Sequence, residues 1–314
     1  MAETPADQTG AAVIGATGAT GRVIARELLG RGVPVRVVSR SGARLERDFA
    51  DTPAERVVAD VLDPAAAGRA AEGCGLVFDC VGVPLGSFAQ HLDITRNLID
   101  AAGAAGARLI LISGYWSQAP AGGAIAADTP PKPTDPYSRV RIEQEQTAID
   151  AGACVVILPD FFGPGAGVSV LNDAIETILT AGSALWPGDP RAARDFIYIP
   201  DAGAPIVRLA LDDRSFGRRW VLAGSGVTTP RDALLLAAQR LKRRARVKRV
   251  SPVMMRLGAM IRKDVRLFKP VYPIYNASAT FDDDATRDLI GDWPRTGYGD
   301  AIPTTIDWLK DRRR

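Results

Sequence analysis

Cysteine and histidine are scarce in this sequence of 314 residues, which contains three cysteines and one histidine. Cys74, Cys80 and Cys154 have no paired spacing, so the sequence gives no sign of a disulfide framework and favours a reducing compartment. The three acidic residues at 282–284 are not accompanied by a second cluster of oxygen ligands. They are therefore interpreted as a loop or a helix start, and no metal site is predicted.

The sequence also lacks long apolar runs and a large excess of charge of one sign. No run approaches the roughly 20 residues that cross a membrane, and the net charge is only +3. Residues 1–10 are polar, are expected to form a flexible tail and lack the pattern of a signal peptide. The basic run 242–249 lacks interleaved aromatic residues and begins at the C-terminus of a predicted helix, where the helix dipole favours cations, so it is interpreted as a solvated face. These absences predict a cytoplasmic protein with no membrane partner and no nucleic-acid partner.

What the sequence does contain is a glycine-rich turn within residues 11–22. An apolar run at 12–14 predicts a buried strand, and a helical pattern of apolar residues begins at Val23. Glycine permits close approach of the backbone, and a helix N-terminus offers unpaired N–H groups to an anion. The strand and the helix are the context that this motif requires. The turn is therefore predicted to bind a dinucleotide through Gly15, Thr17, Gly18, Ala19, Thr20, Gly21 and Arg22.

The next predicted strand ends in residues that bear on the choice of cofactor. An acidic residue about 20 residues beyond the glycine turn would bind the ribose 2′-hydroxyl of NAD. This sequence has Ser39 and Arg40 there instead. A guanidinium pairs with a 2′-phosphate, whereas a carboxylate would repel it. The predicted cofactor is therefore NADP(H).

Predicted strands and helices alternate along the chain. Apolar segments indicate further strands at 56–59, 76–81, 108–112 and 153–158, and helices that include 88–105 and 136–149. This alternation favours a doubly wound α/β fold with helices on both faces of a parallel sheet. The pattern is less regular beyond residue 168, where helices are predicted at 171–180, 202–211, 231–243 and 302–310, and strands at 196–199 and 220–222.

The spacing Gly15-x-x-Gly18-x-x-Gly21 resembles that of the short-chain dehydrogenase/reductase superfamily. The segment 194–201, Arg-Asp-Phe-Ile-Tyr-Ile-Pro-Asp, is similar to one in the extended branch of that superfamily, which includes sugar-nucleotide epimerases and dehydratases. The resemblance implies a Rossmann-type dinucleotide-binding domain at 11–165, to which 193–212 returns, and a smaller interleaved substrate-binding lobe at 166–192 and 213–314. It also implies cofactor contacts at Asp60, Val61, Val81, Gly82, Pro159 and Phe161.

In that superfamily the chemistry is carried by a tyrosine with a lysine four residues later, helped by a serine or threonine after the fifth strand. The resemblance implies that Tyr137 is the proton donor, but position 141 is arginine. Residues four apart share a helix face, so Arg141 is expected to lie beside the phenol and lower its pKa. The helper position is Tyr115, and Ser113 and Ser117 lie nearby as substitutes.

Three functions stay open at this point. The first is an NADP(H)-dependent oxidoreductase that acts on a carbonyl or carbinol carbon of a small organic substrate. The second is a redox-neutral epimerase or dehydratase that retains its cofactor, and the third is an NADP-binding sensor similar to the NmrA-like regulators. Apolar residues on more than one side of 88–105 also predict a homodimer through this helix and 136–149.

Overall fold

Strands and helices alternate through the part of the protein that the computed structural model describes, residues 10–313. The predicted tail at 1–10 lies outside the described residues except for Gly10. The strands are β1 Ala11–Ile14, β2 Val35–Ser39, β3 Glu55–Val58, β4 Leu76–Asp79, β5 Arg108–Gly114, β6 Cys154–Leu158, β7 Asp160–Phe162, β8 Ser183–Trp186, β9 Arg194–Tyr198, β10 Arg218–Val221, β11 Val227–Thr228 and β12 Arg246–Arg249. The helices are α1 Ala19–Gly30, α2 Gly42–Phe49, α3 Pro64–Ala71, α4 Gln90–Ala105, α5 Pro136–Asp150, α6 Val170–Ala181, α7 Gly203–Leu211, α8 Pro230–Arg240, α9 Pro252–Ile261, α10 Lys263–Phe268, α11 Asp284–Ile290 and α12 Tyr298–Asp311.

The large sheet contains seven strands in the order β3-β2-β1-β4-β5-β6-β10, and every neighbouring pair is parallel. The chain builds one side of the sheet outward from β1 to β3 and then crosses back to β4 to build the other side. This is the doubly wound fold that the sequence predicts. Ligands of such sheets bind at the carboxyl ends of the strands, next to the point where the order reverses.

The sheet is buried on both faces, which gives the protein two cores. Ala12 and Ile14 of β1 belong to the core that contains α4, whereas Ala11 and Val13 belong to the core that contains α1. A central parallel strand therefore needs an unbroken apolar sequence, since neither face meets water. The run at 11–14 has that sequence.

The second half of the chain contributes to two smaller sheets and to one edge of the large sheet, and two details differ from the sequence analysis. Strand β12 pairs in parallel with β8, so the second half of the basic run 242–249 is a strand that was not predicted. The sequence of β12 lacks the apolar residues by which a strand is usually predicted, because within this strand only Val247 is half-buried and the other three residues are exposed and charged. Strand β10 lies at the edge of the large sheet, although the predicted lobe at 213–314 included it.

Candidate functional site

The glycine turn between β1 and α1 lies at the carboxyl end of β1 and has no room for side chains. Gly15 has a φ of +79°, and a Cβ there would lie 2.8 Å from the Cys80 carbonyl oxygen. A Cβ at Gly21 would lie 2.5 Å from the Gly15 oxygen. Gly18 is the N-cap of α1 and supplies no capping side chain, which leaves first-turn N–H groups available to an anion. The turn therefore fits the pyrophosphate of a dinucleotide.

Arg22 connects the glycine turn to the loop that follows β7. Its Nη2 donates to Asp48 Oδ2 at 2.8 Å and to the Thr17 carbonyl oxygen at 3.3 Å. A Cβ at Gly165, where φ is +86°, would lie 2.9 Å from the Arg22 Nη1, so this loop passes directly beside the guanidinium. The Nε of Arg22 is buried without a hydrogen-bond partner. Arg22 thus brings a cation and an unsatisfied donor to the turn.

The end of β2 carries hydroxyl groups and arginines. Ser39 Oγ lies 3.0 Å from Thr17 Oγ1. Arg40 is exposed and, within residues 10–313, has no hydrogen bond or ion pair. Arg44 is also exposed, and its Nη2 donates to the Thr17 carbonyl oxygen at 2.9 Å. The sequence analysis missed Arg44, although its spacing of four from Arg40 was a usable signal because Ser41 predicts a helix start between them.

The other predicted cofactor residues lie on the loops that follow β3, β4 and β6, except Phe161, which lies in β7. Asp60 and Gly82 are exposed, and Val81 and Phe161 are half-buried. Val61 and Pro159 are buried. The first four can contact a ligand with little rearrangement. The two buried residues can contact a ligand only if their surroundings rearrange.

Tyr137 lies in the first turn of α5, whose start is fixed by a capping box. The Asp135 carboxylate accepts from the N–H groups of Tyr137 and Ser138 at 2.8 and 3.0 Å, and Ser138 Oγ accepts from the Asp135 N–H at 2.9 Å. Tyr137 Oη donates to the Leu267 carbonyl oxygen at 2.7 Å. Burial, with a smaller contribution from Asp135, raises the pKa of Tyr137 above its usual value. The phenol is therefore held as a protonated donor.

Arg141 does not bind Tyr137, contrary to the expectation from the sequence. Within residues 10–313, no hydrogen bond joins the two side chains. Arg141 Nη1 instead donates to Gln144 Oε1 at 2.7 Å, and its Nη2 lies 3.2 Å from His91 Nε2. The Phe88 ring contacts both residues, with its centroid 5.1 Å from the guanidinium carbon and 4.9 Å from the Tyr137 centroid. The planar guanidinium binds acceptors away from the phenol, which explains why the pKa of Tyr137 is not lowered.

A chain of buried hydrogen bonds leads from Arg141 to a carboxylate on β4. Gln144 Nε2 donates to Thr95 Oγ1 at 2.8 Å, and Thr95 Oγ1 donates to Asp79 Oδ2 at 2.7 Å. Burial raises the pKa of Asp79 above its usual value. The sequence analysis missed these three residues, and the only signal was a polar side chain at the end of an apolar strand.

Glu145 binds the two serines that the sequence analysis considered as helpers. Ser113 Oγ and Ser117 Oγ donate to Glu145 Oε1 at 2.7 and 2.8 Å. Arg219 Nη2 lies 3.2 Å from Glu145 Oε2, and burial raises the pKa of this fully buried carboxyl. Both hydroxyls therefore have a carboxylate acceptor inside the protein.

Tyr115 belongs to a separate buried cluster with Asp160, Arg194 and Tyr275. The Tyr115 and Tyr275 hydroxyls donate to the two Asp160 carboxylate oxygens at 2.9 and 3.3 Å. Arg194 Nη2 donates to Asp160 Oδ2 at 2.9 Å and also contacts the Tyr115 hydroxyl. Burial raises the pKa of Tyr115 although Arg194 opposes this. We call these four residues the Arg194 cluster.

The segment 194–201 positions the second half of the chain against the large sheet. Besides Arg194, Asp195 accepts from the Gly224 N–H at 2.8 Å, and Asp201 accepts from the Thr296 N–H at 2.6 Å. Arg194, Asp195 and Asp201 thus each anchor a distant piece of backbone.

The buried histidine predicts a stability that falls in acid. Burial, with the Arg141 charge beside it, lowers the pKa of His91 to about 2. In the unfolded chain this pKa returns to about 6.5, so between these values the unfolded state binds one more proton and stability falls as the pH falls. The slope of about 1.4 kcal/mol per pH unit predicts that His91 alone removes about 2 kcal/mol between pH 6.5 and pH 5.

Urea unfolding of the wild type and His91→Gln at the two pH values tests this. Asp79 and Glu145, which lie near Arg141 and have raised pKa values, act in the opposite direction but are present in both proteins. The chain has no other histidine, so the difference between the two pH dependences isolates His91. Equal losses of stability in the two proteins would contradict the prediction.

The chain matches the sequence profile of the NAD-dependent epimerase/dehydratase family over residues 11–223. Among solved structures, MoeE5 in complex with UDP-glucose and NAD has a TM-score of 0.80 at 18% identity, covering 97% of this chain and 100% of that one. A nucleoside-diphosphate-sugar epimerase from Pseudomonas aeruginosa has a TM-score of 0.78 at 20% identity, covering 97% and 98%. The dTDP-glucose 4,6-dehydratase of Bacillus anthracis, in complex with NAD, has a TM-score of 0.78 at 12% identity, covering 96% and 97%.

At these low identities, the solved structures establish the Rossmann-like fold alone. No curated protein matches the chain significantly. The family profile, however, covers more than half of the chain, including the glycine turn, α5 and the segment 194–201. The chain belongs to the NAD-dependent epimerase/dehydratase family, in agreement with its resemblance to the extended short-chain dehydrogenase/reductases.

Proposed function

We propose that this protein is a redox-neutral epimerase or dehydratase that retains a nicotinamide dinucleotide and acts on a nucleoside-diphosphate sugar. One observation carries the proposal: Tyr137 stands at the start of α5, the helix that follows the carboxyl end of β5, just as the glycine turn follows the carboxyl end of β1, in a chain of the epimerase/dehydratase family. The substrate class is that of the UDP-glucose bound to MoeE5. This function is the second of the three that the sequence analysis left open. The comparisons favour it over the first, a net oxidoreductase.

Tyr137 is the proposed proton-exchanging group. When bound, the nicotinamide supplies hydride acceptance and hydride return. Tyr137 Oη exchanges a proton with the substrate oxygen on the carbon that loses and regains the hydride. Its present acceptor is the Leu267 carbonyl, which a substrate oxygen has to replace. Exchanging one neutral acceptor for another costs about 0.5–1.5 kcal/mol at most.

The proposed preference for NADP(H) rests on the end of β2. Arg40 has no partner in residues 10–313, and Arg44 lies one helical turn further along. Both guanidinium groups are exposed and therefore available to a 2′-phosphate. MoeE5 and the Bacillus anthracis dehydratase are bound to NAD, so this preference is proposed as a property of this chain.

NADPH is expected to bind about 10- to 150-fold more tightly than NADH, the range given by one charge-assisted contact. Arg40→Ala and Arg44→Ala should each weaken NADPH binding and leave NADH binding unchanged, as measured by calorimetric titration. Arg31→Ala is the matched control, since Arg31 is exposed and paired with Glu27 at the far end of α1. Equal affinities of the wild type for the two cofactors would refute the NADP(H) assignment.

A cofactor-binding protein without turnover is the second candidate, and Arg141 favours it. Its guanidinium is used by Gln144 and His91, while the pKa of Tyr137 is raised. A tyrosine in that state is a poor proton acceptor near neutral pH. This arrangement fits the sensor that the sequence analysis kept open.

Incubation with NADP⁺ and a panel of UDP- and dTDP-sugars in deuterated water distinguishes these functions. A redox-neutral enzyme converts a sugar without net formation of reduced nicotinamide. A dehydratase, which removes a proton from a carbon of the sugar, introduces solvent deuterium at that carbon, whereas an epimerase that returns the same hydride introduces none. Stoichiometric formation of reduced nicotinamide identifies the net oxidoreductase instead. Tight cofactor binding without conversion of any sugar identifies the sensor.

The homodimer through α4 and α5 stays a prediction, as does the cytoplasmic location. Ile94 and Leu98 of α4 are buried within the chain, and Leu92 and Ile99 are half-buried. Part of the apolar surface that suggested a dimer is therefore used by the protein's own core. The half-buried residues are those that a partner subunit would cover.

A further inference from the structure

Helix α9 exposes a continuous apolar face. Its residues Val253, Met254, Leu257, Met260 and Ile261 are between 47% and 86% exposed. At about 100° per residue, these five positions span about 120° of the helix circumference. Met255 and Ala259, which are buried, lie on the opposite side. The helix thus packs through one apolar side and presents a second to solvent.

The surroundings of this face are strongly basic. Residues 240–269 contain twelve Lys and Arg and one acidic residue, Asp264, whereas the whole chain carries a net charge of only +3. Arg256, Arg262, Lys263, Arg266 and Lys269 of α9, α10 and the following turn are all exposed. The positive charge of the protein is therefore concentrated on the segment that also exposes the apolar helix.

We propose that α9 docks onto an anionic lipid bilayer, with its apolar face in the headgroup region and the surrounding Lys and Arg on acidic headgroups. An amphipathic helix with basic flanks is the structure that binds such a surface. Within residues 10–313, no helix is long and apolar enough to cross a membrane, so the inference concerns surface binding. It differs from the expectation from the sequence that the protein has no membrane partner, which the vesicle experiment below tests.

The charge argues against two other occupants of this face. A second copy docked through the same face would bring two such basic segments together, and like charges repel. The phosphates of a nucleic acid would pair with the Lys and Arg side chains. A nucleic acid offers no apolar phase, however, for Met260 and Ile261, the most exposed residues of the face. A bilayer satisfies both features at once.

The docking face is one helix away from the candidate site. A Cβ at Gly258 of α9 would lie 3.1 Å from Val265 Cγ1 of α10, so the two helices are closely packed. Leu267 of α10 provides the carbonyl that accepts from Tyr137. Bilayer docking would therefore hold the element that covers the Tyr137 hydroxyl against the membrane surface.

Flotation of the full chain with vesicles tests the inference. Phosphatidylcholine vesicles with about 30% phosphatidylglycerol should bind the protein at least about tenfold more tightly than pure phosphatidylcholine, and added salt should weaken this binding. Met260→Glu/Ile261→Glu should weaken the binding at least about 100-fold, since two apolar side chains leave the bilayer. Arg256→Gln/Lys263→Gln should weaken it on the anionic vesicles only.

Val168→Glu/Val227→Glu is the matched control, because these valines are 86% and 65% exposed and the variant gains the same charge. It should bind the vesicles like the wild type, and circular dichroism should show that all variants are folded. Absence of wild-type binding to the anionic vesicles overturns the proposal. So does a wild-type dimer in light scattering that Met260→Glu/Ile261→Glu dissociates, or binding to poly(U) that survives the same substitutions.

Discussion

Tyr137→Phe is expected to reduce the turnover of a sugar substrate by about 10²–10⁴-fold, the usual contribution of a positioned acid–base group. The substitution keeps the ring that packs edge-on against Phe88 and removes only the hydroxyl. Affinity for the cofactor should stay unchanged, because the glycine turn and the end of β2 do not contact this hydroxyl. Steady-state kinetics and cofactor titration on the same preparation measure both quantities.

Tyr272→Phe is the matched control for this substitution. Tyr272 Oη also donates to a backbone carbonyl, that of Val250, at 2.7 Å. Each variant loses one such hydrogen bond, so both should lose about 0.5–1.5 kcal/mol of stability. Only Tyr137→Phe should lose activity. Full activity of Tyr137→Phe would assign the proton exchange to another group. Equal losses of activity in the two variants would show that the loss comes from disturbed packing and not from the missing proton donor.

The fold and the glycine turn between β1 and α1 could be predicted because their signals are local. The glycine spacing, the apolar run at 12–14 and the Asp135-Pro136 helix start each lie within a few residues of the structure that they specify. Strand β12 was missed because its sequence is dominated by exposed charges. Strand β10 is apolar only at one end, and its membership in the large sheet depends on β6.

The partners of the site residues could not be predicted, because they come from distant parts of the chain. Arg141 meets His91 from α4, Tyr137 meets Leu267 from α10, and Tyr115 meets Arg194 from β9. No spacing rule connects such positions. The helical rule that residues four apart share a face was sound, but it did not indicate where a long guanidinium would find its acceptors.

The Arg194 cluster should be the most sensitive part of the scaffold. The Arg194 side chain is 1% exposed and that of Asp160 is 18% exposed. Arg194→Met roughly keeps the volume but leaves the Asp160 carboxylate without its cation. Removing one partner of a buried ion pair costs about 3–5 kcal/mol. We expect a loss of that size in urea unfolding, together with a lower thermal midpoint.

Asp160→Asn, alone and combined with Arg194→Met, completes a double-mutant cycle. The combined variant has no unpaired carboxylate, so it should be more stable than the sum of the two single losses implies, by about 0.5–3 kcal/mol. Arg191→Met is the surface control, because Arg191 is exposed and within three residues of Arg194; it should change stability by less than about 0.5 kcal/mol. If Arg194→Met behaves like Arg191→Met, or if the two cluster substitutions are additive, Asp160 and Arg194 are not coupled and another contact fixes the position of Tyr115.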